Sequence, residues 1–431
     1  MKRWFVIAVV TALVAASGTA IFFFWPASLP PAIASSEQPQ GDALVNRGEY
    51  LATAGDCVAC HTAPGGQAFA GGLAFTLPFG TLYSPNITPD RETGIGDWSD
   101  AEFSRALHRG IGRHGEDLYP AFPYADYALL STDDVLAIKA YLFSLRPVRA
   151  RVTHNSLIFP FDQRFVMRAW KLLFVPNRRF EPNASREPSW NRGAYLVEAL
   201  GHCGECHTPR NLLFATRTDI KFSGAVVDGL KAYNITPDRK SGIGSWTDSE
   251  LATYLSTGHA HGHGGVSGSM AEAIDLSIRK LDSADIASMV VYLRSITPVA
   301  TSLEGSVDPN PAPLASSTAW SPPKNEGEAT GLRIFESACA SCHGWDGSGQ
   351  QTDHAELRGA RTVNDPQGTN LVKVVLDGVR IGSSVGDEIM PGFSMAYSDR
   401  EIAALSNYVL EHFGAKQGKV TEATVATLRQ E

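Results

Sequence analysis

The sequence predicts a mainly α-helical chain of three tandem domains behind an apolar N-terminal segment. Three observations carry this reading. A Cys-x-x-Cys-His unit occurs three times, as Cys57-Val58-Ala59-Cys60-His61, Cys203-Gly204-Glu205-Cys206-His207 and Cys339-Ala340-Ser341-Cys342-His343. The surroundings of these units repeat along the chain. Each repeat also closes with an amphipathic helix led by acidic residues: Asp133 to Leu145, Asp282 to Ile296 and Asp399 to Phe413. At 431 residues the chain has room for modules of about 100 residues around each unit.

Each Cys-x-x-Cys-His unit follows a short helical segment with a glycine and an aromatic. These read Arg47-Gly48-Glu49-Tyr50-Leu51, Arg192-Gly193-Ala194-Tyr195-Leu196 and Gly331-Leu332-Arg333-Ile334-Phe335. The closing helices carry Tyr141, Tyr292 and Tyr408 at equivalent places. An opening helix crossing a closing helix at a small residue and an aromatic makes a compact enclosure; plain core packing explains the same aromatics. The first two modules are closer to each other than to the third. Asn86-Ile87-Thr88-Pro89-Asp90 recurs as Asn234-Ile235-Thr236-Pro237-Asp238, and Gly94-Ile95-Gly96 with Trp98 recurs as Gly242-Ile243-Gly244 with Trp246, at a constant offset. The shared segment implies one loop in one role, with the tryptophans as apolar walls; the competing reading is surface-turn chemistry.

The motif itself specifies chemistry. Two thiols at this spacing, with histidine directly after the second, are the attachment site of c-type haem: thioether bonds to the vinyl groups and a proximal iron ligand. All six cysteines are used this way. A zinc ribbon pairs Cys-x-x-Cys units without needing the histidine. A thioredoxin-like motif occurs once and in a βαβ setting, and disulfides give no reason for the spacing. The expected cofactors are therefore three covalently bound haem c groups, and the fold becomes three tandem class I-like cytochrome c domains. The net charge of −8 and the lack of a basic run argue against nucleic acid as a partner.

Lys2 and Arg3 precede an uncharged stretch from Trp4 to Trp25, followed by Pro26. That length crosses a bilayer as one helix, with interfacial tryptophans at both ends and positive charge on the cytoplasmic side. We expect an N-terminal membrane anchor over residues 1–26; cleavage within Pro30 to Ser35 is the alternative. Either fate puts the body outside the cytoplasm, at the periplasmic face of a bacterial inner membrane. The expected boundaries are a tether at 27–40, domain 1 at 41–150, a connector at 151–189 and domain 2 at 190–300. A proline-rich linker at 301–327, domain 3 at 328–416 and a polar, mobile tail at 417–431 complete the chain.

The sixth ligand of each iron sets its potential and its openness to other ligands, and methionine both raises the one and closes the other. The six methionines can be taken one at a time. Met390, in Ile389-Met390-Pro391-Gly392-Phe393 before the last closing helix, is the candidate for haem three, and Met395 is read as packing. Met270 is the candidate for haem two, with His259, His261 and His263 as rivals whose commoner role is a solvated loop; Met289 falls inside a helix as a core residue. Haem one is anomalous, because the repeat places Phe122 opposite Met270. Met167, in the apolar connector stretch, is the remaining methionine outside the leader, with His114, His154 or an open iron as alternatives.

These pieces together resemble the tri-haem cytochrome c subunit of membrane-bound periplasmic dehydrogenases, which serves alcohol, gluconate, sorbitol, fructose and aldehyde dehydrogenases. The resemblance runs from Gly48 to near Phe413. It is carried by the Asn-Ile-Thr-Pro-Asp and Gly-Ile-Gly-x-Trp segments, Tyr119 to Tyr124, the three haem motifs, Met270 and Met390. In many members the Tyr-Pro-Ala segment continues with methionine. The Phe122 form is similar to cytochromes accompanying molybdenum hydroxylases that oxidise N-heterocycles or aldehydes. The resemblance implies a catalytic dehydrogenase partner of molybdenum, flavin or quinoprotein type, with electrons passed on to quinone or a terminal oxidase. On this reading the chain is no enzyme, and haem three, behind the linker, is a mobile end. The competing readings are a peroxidase-like haem enzyme, with His114 and Glu116 beside an open haem one, and a redox-inert docking subunit.

Overall fold

The computed structural model describes residues 3–5, 7, 10–11, 14, 17–18, 22–23, 28–227, 229–301, 322–383, 386–414 and 417–430. Much of the expected anchor and residues 302–321 of the expected linker lie outside them. Among the described residues no helix is long and apolar enough to cross a membrane.

Helices dominate, and they pack in opening–closing pairs. Helix α1 (Asp42–Ala54) lies on α3 (Thr132–Ser144), α5 (Pro188–Tyr195) on α7 (Ser283–Ser295), and α8 (Glu326–Ile334) on α9 (Asp399–His412). The glycine in each opening helix is what lets the backbones touch. A β-carbon on Gly193 would lie 1.9 Å from the Ser288 carbonyl oxygen and 2.9 Å from the β-carbon of Tyr292. In the first pair Arg47 also bonds Asp134 at 2.6 Å, and in the second Arg192 bonds Asp285 at 2.5 Å. The recurring Arg-Gly dipeptide therefore pins a helix by charge and admits its partner by size.

The constant-offset repeat also folds as a repeat. Asn86 Nδ2 donates to the Val148 carbonyl at 2.7 Å while its Oδ1 accepts the Thr88 amide at 2.9 Å. Asn234 does the same with Val299 at 2.7 Å and Thr236 at 2.8 Å. Both asparagines are buried, so the segment is an interior clamp on the chain leaving the closing helix, not a surface turn. Ser99 and Thr247 then start α2 (Asp100–Arg109) and α6 (Asp248–Thr257) with capping boxes completed by Glu102 and Glu250. Gly110 and Gly258, both left-handed, end them.

The described chain divides into two compact units. The first comprises residues 1–182 with 198–202, and the second 183–197 with 203–431. In the first, the connector is structural. Its strand β3 (Ser156–Leu157) pairs with β2 (Gly80–Tyr83), itself hydrogen-bonded to β1 (Ala74–Leu77). Its helix α4 (Val166–Phe174) docks through Lys171, whose ammonium donates to the Gly110 carbonyl at 2.9 Å and meets buried Asp117 at 2.5 Å.

In the second unit, the residues around the second and third motifs pack against one another. Lys231 pairs with Asp365 at 2.5 Å, both buried, and Asn370 bonds the Lys231 backbone at 2.8 and 2.9 Å. The mobile third end expected from the linker is thus corrected: its residues are held by buried polar contacts. The mobile tail is corrected too. Residues Glu422–Gln430 form a helix whose Val425 and Leu428 enter the core with Ile334, Phe335, Leu376 and Leu410, and Arg429 bonds Asp399 at 2.7 Å. Two apolar residues on one helical face sufficed among polar neighbours that suggested solvent.

Candidate functional site

All three motifs sit on short helices, Cys57–Cys60, Gly204–His207 and Ala340–His343. None of their cysteines is in a disulfide; Cys206 is exposed and the other five are half-buried. Burial pushes the Cys57 thiol up to about 12, with Asp56 adding to it, and the Cys339 thiol up to about 11. Both are therefore neutral thiols near pH 7.

The histidines share one arrangement. His61 Nδ1 donates to the Pro85 carbonyl at 2.8 Å, His207 Nδ1 to the Tyr233 carbonyl at 2.6 Å, and His343 Nδ1 to the Ala355 carbonyl at 2.6 Å. A carbonyl accepts only, so each ring carries its proton on Nδ1 and turns Nε2 outward as a lone pair. Burial lowers the pKa of all three rings, which keeps them in the neutral form a metal ligand requires. Two thiols and an oriented imidazole lone pair fit a covalently attached haem iron at each motif.

Of the methionines, Met270 is half-buried on the helix Gly268–Leu276 and packs with Val266, Ala271, Ile274 and Ile381. Met390 ends strand β7 (Gly386–Met390), paired with Val379 of β6 (Val379–Ser383), and packs on the core around Ile334, Phe335 and Leu376. Met289 is buried in α7, as a core residue. Met395 is 97% exposed, which corrects its reading as packing. The rival histidines are not a solvated loop. His259 is buried and meets Glu356 at 3.2 Å, and His263 stacks on Trp246 at 3.8 Å and meets Glu250 at 3.4 Å. Only His261 of the three is exposed, and it meets the other oxygen of Glu356 at 3.2 Å.

Comparison with known proteins adds to this geometry. The Cytochrome c family model matches residues 45–146 and 328–412. The chain is 36% identical over 416 residues to the gluconate 2-dehydrogenase cytochrome c subunit of Pantoea cypripedii, covering 92% of each. It is 38% identical over 415 residues to the fructose dehydrogenase cytochrome subunit of Gluconobacter japonicus, covering 93% of this chain and 84% of that one. A nicotinate dehydrogenase subunit of Pseudomonas putida is 40% identical over 394 residues, 91% of this chain; the match spans only 32% of that longer protein. The chain belongs to the cytochrome c subunits of dehydrogenases.

In this cytochrome subunit an aromatic group stands beside the first motif. Phe122 packs edge-on to Tyr127 at 5.6 Å, and the Tyr127 hydroxyl donates to the Gly55 carbonyl at 3.0 Å, two residues before Cys57. Burial raises the Tyr127 pKa well above its usual value. Tyr124 lies 6.2 Å from both Phe122 and Trp170 of α4. Met167 is half-buried on the first turn of that docked helix. His114 and His154 are both exposed. The structure thus gathers Phe122, Tyr124, Tyr127 and Trp170 into one aromatic group and carries Met167 on the helix that completes it.

Sequence reasoning missed the carbonyls that hold the histidines. For the first two a signal was present, since Pro85 and Tyr233 directly precede the repeated Asn-Ile-Thr-Pro-Asp segments. Ala355 belongs to no such repeat and had none.

Proposed function

We propose that this cytochrome subunit carries three covalently bound haem c groups and passes electrons from a catalytic dehydrogenase subunit to quinone or a terminal oxidase. The observation that supports it most is the common arrangement of His61, His207 and His343, each with Nδ1 committed to a backbone carbonyl. Bound haem supplies a one-electron iron couple at each site. Cys57, Cys60, Cys203, Cys206, Cys339 and Cys342 tether the groups. The three histidines would present Nε2 to the iron, and Met167, Met270 and Met390 would supply the remaining protein ligands. The chain's own work is to fix these ligands, exclude water and hold the groups in order; no substrate bond is made or broken on it. The domains follow the motifs, at 41–150, 190–300 and 328–416.

The partner is proposed to hold a molybdenum, flavin or quinoprotein centre that oxidises alcohols, aldehydes or N-heterocycles. The likeness to the nicotinate dehydrogenase subunit and the phenylalanine at position 122 favour an N-heterocycle or aldehyde oxidase of the molybdenum class. A peroxidase-like use of haem one is not favoured: His114 is exposed, and Glu116 is spent on the His114 backbone amide at 2.9 Å. The site of action is the periplasmic face of a bacterial inner membrane. Support comes from exposed apolar side chains in the first unit: Phe159, Leu172 and Leu173 are 78, 72 and 68% exposed. The region around the helix that carries Leu172 and Leu173 also meets the leader, since Phe165 meets Phe23 at 5.7 Å and Arg168 donates to the Phe22 carbonyl at 3.0 Å.

The test is the haem content per chain by pyridine haemochrome, with each cysteine pair replaced by alanine in turn. Three haems in the parent and two in every variant are expected. A parent content below three, or a variant that loses none, would sink the tri-haem reading.

A further inference from the structure

The carbonyl that orients His207 belongs to a segment braced by residues far along the chain, all within the second unit. Tyr233 follows strand β5 (Leu230–Ala232), whose Lys231 is clamped by Asn370 and Asp365 as described. The other end of the segment is held by Arg361. Its guanidinium donates to the Ser241 carbonyl at 3.1 Å and to the Gly242 carbonyl, and it lies 5.6 Å over the Tyr233 ring. The loop between these points is tight, because a β-carbon on Gly242 would fall 2.0 Å from the Thr236 carbonyl oxygen. Movement at Ser241 or Gly242 therefore reaches Thr236, and through the buried Asn234 clamp it reaches Tyr233.

We propose that Arg361 is a positioning residue for the haem of the second motif. It braces the segment whose Tyr233 carbonyl fixes His207, and it sets a positive charge beside that site. The inference rests on the reading that Cys203, Cys206 and His207 hold a haem. A cation near the iron opposes the ferric form more than the ferrous form, so Arg361 raises the reduction potential of haem two. Residues around the third motif thereby tune the second, and haem two gains affinity for an electron only when both parts of the unit are assembled.

The experiment is a spectroelectrochemical titration of the purified holo-protein, its Arg361→Gln variant and its Arg361→Lys variant, each with its haem content measured. Three haems in the parent, one lost on replacing Cys203 and Cys206 by alanine, uphold the underlying reading; any other count overturns that reading and not the role of Arg361. Given three haems, Arg361→Gln is expected to lower one step only, by about tenfold in its reduction equilibrium or about 59 mV for one electron. Arg361→Lys, which keeps the charge and loses the two-pronged grip, is expected to recover part of the shift. Three unmoved steps, or three that move together, would overturn the proposal. If Arg361→Gln does not fold, Arg361→Lys decides alone: one lowered step upholds the proposal and an unchanged trace overturns it.

Discussion

Gly48 and Ala137 touch so closely that a β-carbon on Gly48 would lie 1.9 Å from the Ala137 carbonyl oxygen. The same contact joins Gly193 to Ser288 at 1.9 Å and Gly331 to Ala404 at 2.4 Å. Gly48→Ala and Gly193→Ala must therefore push the paired helices apart. Each is expected to destabilise the protein by about 1–3 kcal/mol, the usual range for overpacking, and Gly331→Ala by less. Thermal unfolding of the three holo variants checks the order; an unchanged Tm in Gly48→Ala would mean that the helices do not meet there.

Lys231 and Asp365 form a buried pair at 2.5 Å. Asp365→Leu leaves an ammonium without its counter-charge in a dry site, at a cost of about 3–5 kcal/mol. Lys231→Met with Asp365→Leu removes both charges and is expected to recover most of that loss. Chemical denaturation of the single and double variants measures it, and a double variant no better than the single one would contradict the buried geometry.

His108 predicts an acid limit to stability. Its Nε2–H donates to the Leu130 carbonyl at 3.1 Å, and its Nδ1 accepts from the Arg179 guanidinium at 2.8 Å and faces Ser104 Oγ at 3.1 Å. Protonation would set a second cation against Arg179. Burial first, and Arg179 next, lower the His108 pKa to about 4. An unfolded histidine titrates near 6.5, so between these values the unfolded chain binds more protons and stability rises with pH. The contribution is fully present above about pH 6.5 and is lost as pH falls through about 4, on the order of 3 kcal/mol. Unfolding free energy against pH should be flatter over that window in His108→Asn.

The proposed methionine ligands make a spectroscopic prediction. With Met167, Met270 and Met390 on the irons, the dithionite-reduced protein binds no carbon monoxide. Met270→Ala and Met390→Ala are each expected to open one haem of three and to lower one reduction step. Met167→Ala is expected to do the same at haem one. Carbon monoxide bound by one haem of three in the unaltered protein would rule Met167 out as a firm ligand.

The exposed apolar side chains of the first unit predict lipid binding independent of the leader. A chain lacking residues 1–26 should co-sediment with vesicles, and Leu172→Glu with Leu173→Glu should weaken that severalfold with haem content unchanged. Equal binding by both proteins would remove these side chains from the membrane reading.

Several features were legible in the residues because their physics is local. The haem motif places two thiols and an imidazole within one helical turn, so its chemistry needs no distant partner. Helix ends were readable within a residue or so: the closing helices run Thr132–Ser144, Ser283–Ser295 and Asp399–His412. The crossing at Gly48, Gly193 and Gly331 was readable too, since glycine spaced against an aromatic marks where two backbones approach.

What only the tertiary structure decided depends on residues far apart in sequence. No periodicity names Pro85, Tyr233 or Ala355 as the carbonyl that turns each histidine, because any backbone offers the same oxygen and only the path of the chain selects one. The connector's strand and docked helix were hidden for the same reason, as Ser156 and Leu157 acquire strand character only by pairing with Gly80 and Thr81. So was the joining of the second and third motif regions, since Lys231 and Asp365 are ordinary charges until burial makes each the other's partner. Sequence determined which groups this protein can hold; the fold decided what holds those groups in place.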